Sequence, residues 1–188
     1  MYPMTIWKPK TKVFSHFSRL ESQAIIDKTD IPKYRYLFMV LVGTGLRINE
    51  ALAIRVRDLL ETMDGFVLII TREKKGENVK PERLPIAAEL GRTLSLYHKA
   101  ARMLPADKLF PGHSNSYRYQ LIQSAKRAGI LNADSVHPHM FRHSFVYDKV
   151  SIGTHPLILT QLIGHSSLQV TQQYYAPTEN DLRKAMEG

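Results

Sequence analysis

The sequence contains no cysteine, which excludes several classes of protein at once. Without thiols the chain cannot form a disulfide scaffold, bind zinc or an iron–sulfur cluster through thiolates, or use a cysteine nucleophile. Long hydrophobic runs are also missing: the longest are Tyr36–Val42 and Phe66–Ile70, far short of the roughly 20 residues that a membrane span needs. Because the opening residues, MYPMTIWKPKTK, lack the apolar stretch of a signal peptide, we expect a cytoplasmic protein.

Acidic residues are scarce relative to basic ones, which points to a polyanionic partner. The 188 residues include 26 Lys and Arg against 17 Asp and Glu, a formal net charge of +9. A surplus of this size favours nucleic acid as the partner, with an acidic membrane surface as the second possibility. Apolar types make up 44% of the sequence and charged types 23%, which is typical of a folded domain and excludes a disordered chain.

Capping signals and apolar periodicity predict an α+β fold, mostly α, with a small sheet. Strands are expected at Phe66–Thr71 and Arg83–Ile86, joined by a hairpin with a long basic tip, REKKGENVKPE. Helices are expected to begin near Ser18, Pro32 and Arg47, and then to span Ala87–Arg102, Asn115–Ala128, His139–Ser151, Pro156–Ile163 and Ser167–Tyr175, with a short tail helix from Glu179. No internal repeat, low-complexity tract or linker is visible, which indicates one domain preceded by a basic, proline-containing arm over residues 1–16.

The first two helices carry the clearest boundary signals. Ser18 and Glu21 have the spacing of a capping box, in which the serine caps the helix and the glutamate reaches back to the backbone N–H of the cap. The helix that they open should turn three apolar residues inward: Leu20, Ala24 and Ile25. Pro32 suits the first position of the second helix, which we expect Gly43 to end.

Arg47, in the string TGLRINEAL, is the first candidate for chemistry. An arginine at a helix N-terminus adds a two-pronged donor to free backbone N–H groups and a favourable dipole, a combination that suits a phosphate. The alternative is an ordinary surface arginine after a tight turn, and this motif taken alone favours that alternative.

His139, Arg142 and His143, in the string HPHMFRHSF, form the second candidate. Helical positions three apart share a face, so His139 and Arg142 should point the same way. His139 and His143 also have the spacing of a pair of metal ligands, but the glutamate of an HExxH motif is missing and there is no cysteine. A zinc site is therefore disfavoured, and the plain alternative is a solvated basic face.

The third candidate combines the string GHSS with a pair of tyrosines. Gly164 should end one helix, a serine of GHSS should cap the next, and the tyrosines should lie two turns along it. Adjacent helical residues diverge by about 100°, so only one tyrosine can face a given point. Tyr175 shares a stripe with Leu168 and Thr171, which predicts core packing for Tyr175 and a different face for Tyr174. Two tyrosines in a helix are by default packing residues.

In their order and spacing these strings resemble the catalytic domain of the tyrosine recombinases, the phage integrase family. The strings are TGLRINEAL, KKGENVKPERLPI, HPHMFRHSF, LIGHSS and TQQYY, and the resemblance covers about residues 17–180. It implies a helical tyrosine-recombinase catalytic domain with a small antiparallel three-stranded sheet over residues 17–188. It also implies a site-specific DNA recombinase that breaks and rejoins strands in DNA integration, inversion or resolution.

The resemblance further implies a role for each matching residue. The matched positions are two phosphate-clamping arginines, two paired histidines and a nucleophilic tyrosine: Arg47, Arg142, His139, His165 and Tyr174. Glu50 would support the first arginine. Lys75, directly before the hairpin glycine, best matches the catalytic lysine, while Lys74 and Lys80 are the alternatives for that role and otherwise DNA-binding residues.

These residue types suit strand transfer without a metal. Two guanidiniums and imidazole donors can neutralise the charge that builds in the transition state, and a lysine can protonate the departing 5′-oxygen. By the same resemblance, the tyrosine would form a 3′-phosphotyrosyl intermediate that conserves the energy of the broken bond. Neither ATP, a metal nor another cofactor would then be required.

The implied partners are double-stranded DNA, further copies of the chain in a tetramer on paired sites, and accessory DNA-binding proteins. Family members usually carry a separate helical domain before the catalytic one, whereas only about 16 residues precede the match here. We therefore expect either a fragment or a compact member that lacks this domain. Two other interpretations stay open: a type IB-like topoisomerase, which shares the arginines and the tyrosine, and a DNA-binding regulator with a vestigial site.

Overall fold

The computed structural model describes residues 15–72, 80–164 and 168–175, together with positions 183 and 186. The helices are α1 (Arg19–Asp27), α2 (Pro32–Thr44), α3 (Ile48–Ala53), α4 (Ala88–Ala100), α5 (Ser114–Arg127), α6 (His139–Ser151), α7 (Pro156–Ile163) and α8 (Leu168–Gln172). The strands are β1 (Leu59–Thr62), β2 (Gly65–Ile70) and β3 (Glu82–Ile86). This arrangement confirms the predicted fold class, a mostly helical domain with a small antiparallel sheet.

The sheet has β2 at its centre, with β1 and β3 antiparallel on either side. Leu68 of β2 pairs with Leu59 of β1 and with Leu84 of β3. Phe66 and Val67 of β2 are buried together with Leu68, so both faces of the central strand are covered. The residue pattern did not mark β1, because this strand is only four residues long and partly exposed.

The main hydrophobic core is built around α2, which supports the helix that carries most of the candidate site. Leu37, Phe38, Val40 and Leu41 of α2 are completely buried. The Phe38 ring packs against the ring of Phe141 in α6, with 5.6 Å between their centroids. Because α6 is fixed to the core by this face, the side chains on its other faces are held in a defined register.

A second, smaller apolar cluster lies beside the main core. Its buried members come from α6, α7 and the residues after α8: Phe145, Val146, Leu159, Ile163 and Tyr174. The two α7 residues are four positions apart and therefore share one face of that helix. As predicted, α7 has a proline at its first position and a left-handed glycine, Gly164, as its C-cap.

The capping box at the start of α1 is confirmed, but the inward-facing residues of this helix were partly wrong. Ser18 and Glu21 exchange the two expected hydrogen bonds, and Ile25 is buried. Leu20, however, is 84% exposed. The buried face also includes Ser22, and a residue two positions earlier lies about 200° around the helix from it.

The predicted end of the second helix was also wrong. Gly43 lies inside α2, which continues to Thr44, and Gly45 forms the left-handed cap with φ of 66°. A Cβ on Gly43 would lie 3.0 Å from the side chain of Leu90, so this glycine permits close packing and does not end the helix. The tail helix expected from Glu179 lies outside the continuous described ranges. No helix among the described residues combines the length and apolar character needed to cross a bilayer.

Candidate active site

The first predicted arginine, Arg47, is held by a buried carboxylate. Arg47 is the N-cap of α3, and its backbone N–H donates to Glu50 Oε2 at 2.8 Å. Its Nη1 donates to Glu50 Oε1 at 2.9 Å. The Glu50 side chain is fully buried, whereas that of Arg47 is 36% exposed. The guanidinium is therefore fixed on one side by Glu50 while part of it remains open to solvent, which is not the environment of an ordinary surface arginine.

The second predicted arginine, Arg142, is buried between the ends of two helices. Its Nη1 donates to the carbonyl oxygen of Gly45 at 2.8 Å, and its Nη2 donates to that of Ile163 at 2.7 Å. These carbonyls lie at the C-termini of α2 and α7, where the helix dipole favours a positive charge. Burial and the charge of Arg47 lower the pKa of Arg142 to about 10, so it stays protonated at neutral pH. The alternative of a solvated basic face is wrong for this residue, which is only 2% exposed.

A basic cleft of about 490 Å³ opens beside Arg47. His139, from the start of α6, lines the same cleft, together with His137 and Arg118. Burial, followed by the charges of Arg142 and Arg47, lowers the pKa of His139. The cleft therefore has the size and the positive lining that suit a phosphate group.

Tyr174, the predicted nucleophile, contacts α6 directly. Its hydroxyl oxygen lies 2.6 Å from Nδ1 of His143, and its ring meets that of Tyr147 edge-on at 5.2 Å. The His143 ring in turn meets the His139 ring edge-on, with 4.7 Å between their centroids. Because His139 lines the basic cleft, the two histidines connect the tyrosine to that cleft. Burial, followed by Tyr147, raises the pKa of Tyr174 to about 12, while the nearby charge of Arg142 acts in the opposite direction.

The predicted packing of the two tyrosines, with Tyr175 in the core and Tyr174 on a different face, was wrong. Tyr174 is the more buried of the two, at 8% exposed, and belongs to the second apolar cluster. Tyr175 is partly buried against the same cluster, and its hydroxyl donates to the carbonyl oxygen of Thr154. Both rings can pack here because α8 ends at Gln172, so the helical stripe does not extend to the tyrosines.

Three predicted site residues, Lys74, Lys75 and His165, lie outside the described residues, as do the serines expected to cap α8. Lys80 is described and is exposed just before β3. The structure therefore brings together Arg47, Glu50, His139, Arg142 and Tyr174. Within the described ranges, no group of three or more His, Cys, Asp or Glu side chains is arranged to hold a metal ion.

Sequence reasoning missed two residues of this region. His143 was considered only as a metal ligand or a solvated residue, although it directly follows Arg142. Arg72, at the end of β2, is 3% exposed, and its Nε donates to Glu82 at 2.8 Å. Its Nη2 donates to the carbonyl oxygen of Leu162 at 2.7 Å, and its Nη1 is buried without a hydrogen-bond partner in the described part of the chain. No sequence signal separates Arg72 from the charged hairpin tip that follows it.

The sequence matches known proteins over most of its length. A model of the phage integrase family matches residues 17–181. Tyrosine recombinase XerC of Nitrobacter winogradskyi is 35% identical over 144 residues, which cover 72% of this chain and 43% of that protein. Tyrosine recombinase XerA of Thermococcus onnurineus is 34% identical over 164 residues, covering 81% and 54%. The chain thus spans about half the length of the curated relatives it matches.

Solved structures show the same fold. The XerH site-specific recombinase bound to its difH substrate aligns with a TM-score of 0.75 and 21% identity, covering 99% of this chain and 56% of that one. The catalytic domain of bacteriophage HP1 integrase aligns with a TM-score of 0.69 and 20% identity, covering 93% and 95%. On the evidence of the sequence matches, the chain belongs to the phage integrase family of tyrosine recombinases.

Proposed function

We propose that this chain carries the catalytic domain of a site-specific DNA recombinase, in which the Tyr174 hydroxyl attacks a DNA phosphodiester. The observation that carries the proposal is the meeting of functional groups on α6. His139 lines the basic cleft, Arg142 is buried between two helix ends, and His143 contacts the tyrosine hydroxyl. A tyrosine that served only to pack would need none of these neighbours. We assign the catalytic domain to residues 17–188 and a basic arm to residues 1–16.

Arg47 and Arg142 are proposed to neutralise the phosphodiester. Cleavage adds negative charge to the oxygens on phosphorus, and fixed cations stabilise that charge without reorganising during the reaction. Glu50 holds Arg47 in place, while His139 and His165 supply further donors to the same oxygens. This assignment explains why two like charges are kept close enough to lower the pKa of Arg142.

The chemistry needs an acid for the leaving group but no metal. We assign the proton donor for the 5′-oxygen to Lys75 of the hairpin, with Lys74 or Lys80 as the alternatives. The buried carboxylate of Glu50 is engaged by Arg47, so it is poorly placed to ligate an ion. The covalent 3′-phosphotyrosyl bond conserves the energy for rejoining, so no cofactor is required.

The proposed partner is double-stranded DNA, contacted through the positive surface and the hairpin. Support comes from the formal charge of +9 and from relatives of the same fold that were solved on DNA, such as the XerH recombinase bound to difH. We further propose that several copies assemble on paired sites, as a tetramer, with or without accessory DNA-binding proteins. The relatives are named as recombinases, which favours this function over a topoisomerase or a regulator.

The proposal is tested by trapping the covalent intermediate. Nicked duplexes, which release the short fragment that carries the new 5′-hydroxyl after cleavage, are incubated with the protein and resolved on a denaturing gel. Tyr174→Phe should abolish the adduct, because only the nucleophilic hydroxyl is lost. Tyr175→Phe is the matched control and should still form it. Adduct in Tyr174→Phe but not in Tyr175→Phe would move the nucleophile by one residue, and cleavage that vanishes in EDTA and returns with magnesium would contradict the metal-free site.

A further inference from the structure

We propose that His143 is the base that accepts the proton of the Tyr174 hydroxyl when the strand is cut. The inference rests on the proposed function, since it assigns a role at the same site. A phenol attacks phosphorus only as its proton leaves, so the reaction needs an acceptor within hydrogen-bond distance of the oxygen. Nδ1 of His143 lies 2.6 Å from that oxygen, a distance that requires one of the two atoms to donate to the other.

The groups around His143 favour its neutral form. Among the described residues, the titratable and charged groups that act on His143 are His139 and Arg142 of its own helix, His137 and His16 from the segments before α6 and α1, and the hydroxyl of Tyr174. None of these described groups is an anion at neutral pH. Burial, followed by the neighbouring histidines and Arg142, lowers the pKa of His143 to about 4.

His143 is therefore neutral at pH 7, and the phenol of Tyr174 keeps its proton because its own pKa is raised. A neutral imidazole has two tautomers, and the proposed role requires the one in which the hydroxyl donates and Nδ1 accepts. This arrangement requires the His143 tautomer that carries its proton on Nε2. In that tautomer the hydroxyl proton is already directed at the nitrogen that would receive it.

Binding of DNA changes the charge balance in favour of the transfer. A phosphodiester in the cleft beside Arg47 and His139 brings a negative charge close to a cluster of cations and imidazoles. That charge opposes the influences that lower the pKa of His143, so Nδ1 becomes a stronger base once substrate is bound. Without substrate, transfer from the phenol to this weakly basic ring stays unfavourable, which protects the nucleophile from premature ionisation.

The step balances in atoms and charge. A lone pair of the tyrosine oxygen forms the bond to phosphorus, and the hydroxyl proton passes to Nδ1 of His143. The bond from phosphorus to the 5′-oxygen breaks, and its electron pair leaves with that oxygen, which takes a proton from the hairpin lysine. In rejoining, the 5′-hydroxyl returns its proton to the hairpin lysine and attacks phosphorus, the bond from phosphorus to the tyrosine oxygen breaks, and His143 returns its proton to that oxygen.

The hydrogen-bond direction can be measured without DNA. Long-range ¹⁵N–¹H correlation of the full chain at pH 7 should show His143 with its proton on Nε2 and an unprotonated Nδ1. The Nδ1 shift should change in Tyr174→Phe, where the donor is removed. A proton on Nδ1 would overturn the inference, and so would an Nδ1 chemical shift that stays the same in Tyr174→Phe.

The catalytic role is measured by single-turnover adduct formation on a pool of nicked duplexes of randomised sequence. His143→Asn keeps a hydrogen-bond acceptor but cannot hold a proton at neutral pH, and its rate should fall by about 10²-fold or more. His143→Ala should also be slow and should regain activity with added imidazole. His155→Asn, the same change at the N-cap of α7, is the control and should react at the wild-type rate.

The outcomes separate this inference from the function on which it rests. If wild-type protein forms no adduct with any duplex of the pool, the recombinase proposal fails and the role of His143 falls with it. If the wild type forms an adduct and His143→Asn forms it equally fast, the recombinase proposal stands and His143 is only a packing residue. Loss of rate without imidazole rescue in His143→Ala would likewise reduce His143 to a structural role.

Discussion

Two glutamates of this chain each accept from the backbone N–H of the residue that caps their helix, but they lie in opposite environments. Glu21 accepts from the backbone N–H of Ser18 at 2.7 Å at the exposed start of α1. Glu50 accepts from the backbone N–H of Arg47 and also from its guanidinium, with its carboxylate fully buried. A glutamate at this position therefore stabilises a helix end in one case and holds an arginine of the candidate site in the other.

This difference predicts unequal costs for the two alanine substitutions. Glu50→Ala leaves the donors of Arg47 without a buried acceptor and should lower the free energy of unfolding by about 2 kcal/mol. Glu21→Ala removes an exposed cap and should cost about 0.5–1 kcal/mol. Chemical denaturation of both variants measures the costs. Equal losses would show that Glu50 acts only as a helix cap.

The histidines of α6 make stability depend on pH. The pKa of His143 is about 4 in the folded chain, against an ordinary value of about 6.5. Between these values the unfolded chain binds a proton that the folded chain does not, so stability is retained above about pH 6.5 and is lost as pH falls towards 4. Denaturation midpoints of the wild type should decline over this window more steeply than those of His143→Asn. Parallel declines would mean that other groups account for the acid sensitivity.

At the scale of secondary-structure elements, α6 carries most residues of the candidate site. His139, Arg142 and His143 lie within two turns of one helix, and Tyr147 follows four residues later. Their relative positions are set by the helical repeat and by the packing of Phe141 on α2. α7 approaches from one side, where its last carbonyls accept from Arg142 and Arg72.

The contact between α7 and the sheet predicts a cost for changing Gly164. A Cβ on Gly164 would lie 2.4 Å from Cδ and Nη1 of Arg72, whose guanidinium is fixed by Glu82 and by Leu162. Gly153 has a similar positive φ of 75°, yet a Cβ there meets no atom within 4 Å, so Gly153→Ala is the matched control. Both alanines should cost about 1 kcal/mol for the left-handed backbone. Gly164→Ala should cost about 1–3 kcal/mol more because Arg72 must move.

Thermal or chemical denaturation measures this difference. In an Arg72→Ala background the extra cost of Gly164→Ala should largely disappear, since the clashing side chain is gone. An undiminished cost in that background would mean that Arg72 is not the obstacle.

Elements with strong local signals were predicted well from the sequence. The boundaries of α6 and α7 agree with the structure, because Pro156 and Gly164 mark the ends of α7 and apolar residues recur at helical spacing in α6. Gly43 was misread because a glycine that permits close packing has the same sequence signature as one that ends a helix.

The candidate site was predictable where a motif combined residue type with spacing. The positions of Arg47, Arg142 and Tyr174 followed from the resemblance to a family. The burial of Tyr174 did not, because it depends on where α8 ends. The roles of Arg72 and His143 depend on contacts between residues far apart in the sequence: 89 positions separate Arg72 from Gln161, and 31 separate His143 from Tyr174. No local pattern encodes such contacts.

On the scale of the whole molecule, the formal charge of +9 sets how DNA binding should respond to salt. Log affinity for a short duplex of arbitrary sequence should fall linearly with log salt, with a slope of about −0.9 for each phosphate contacted. Lys80→Ala, at the base of the hairpin, should make the slope shallower by about one such contact. Lys126→Ala is the control, because Lys126 is paired with Asp134 at 2.6 Å. Filter binding over a salt series gives both slopes, and equal effects would exclude a specific contact by Lys80.

The small size of the second apolar cluster affects how easily Tyr174 can leave its packed position. Among the described residues, four others are buried in this cluster with Tyr174, apart from the large core around α2: Phe145, Val146, Leu159 and Ile163. Local opening of a protein costs less free energy where fewer apolar contacts are broken. We therefore expect residues 173–175 to detach from α6 at a lower cost in free energy than unfolding of the main core. Release and re-docking of Tyr174 would then be a local equilibrium, separate from the global stability of the domain.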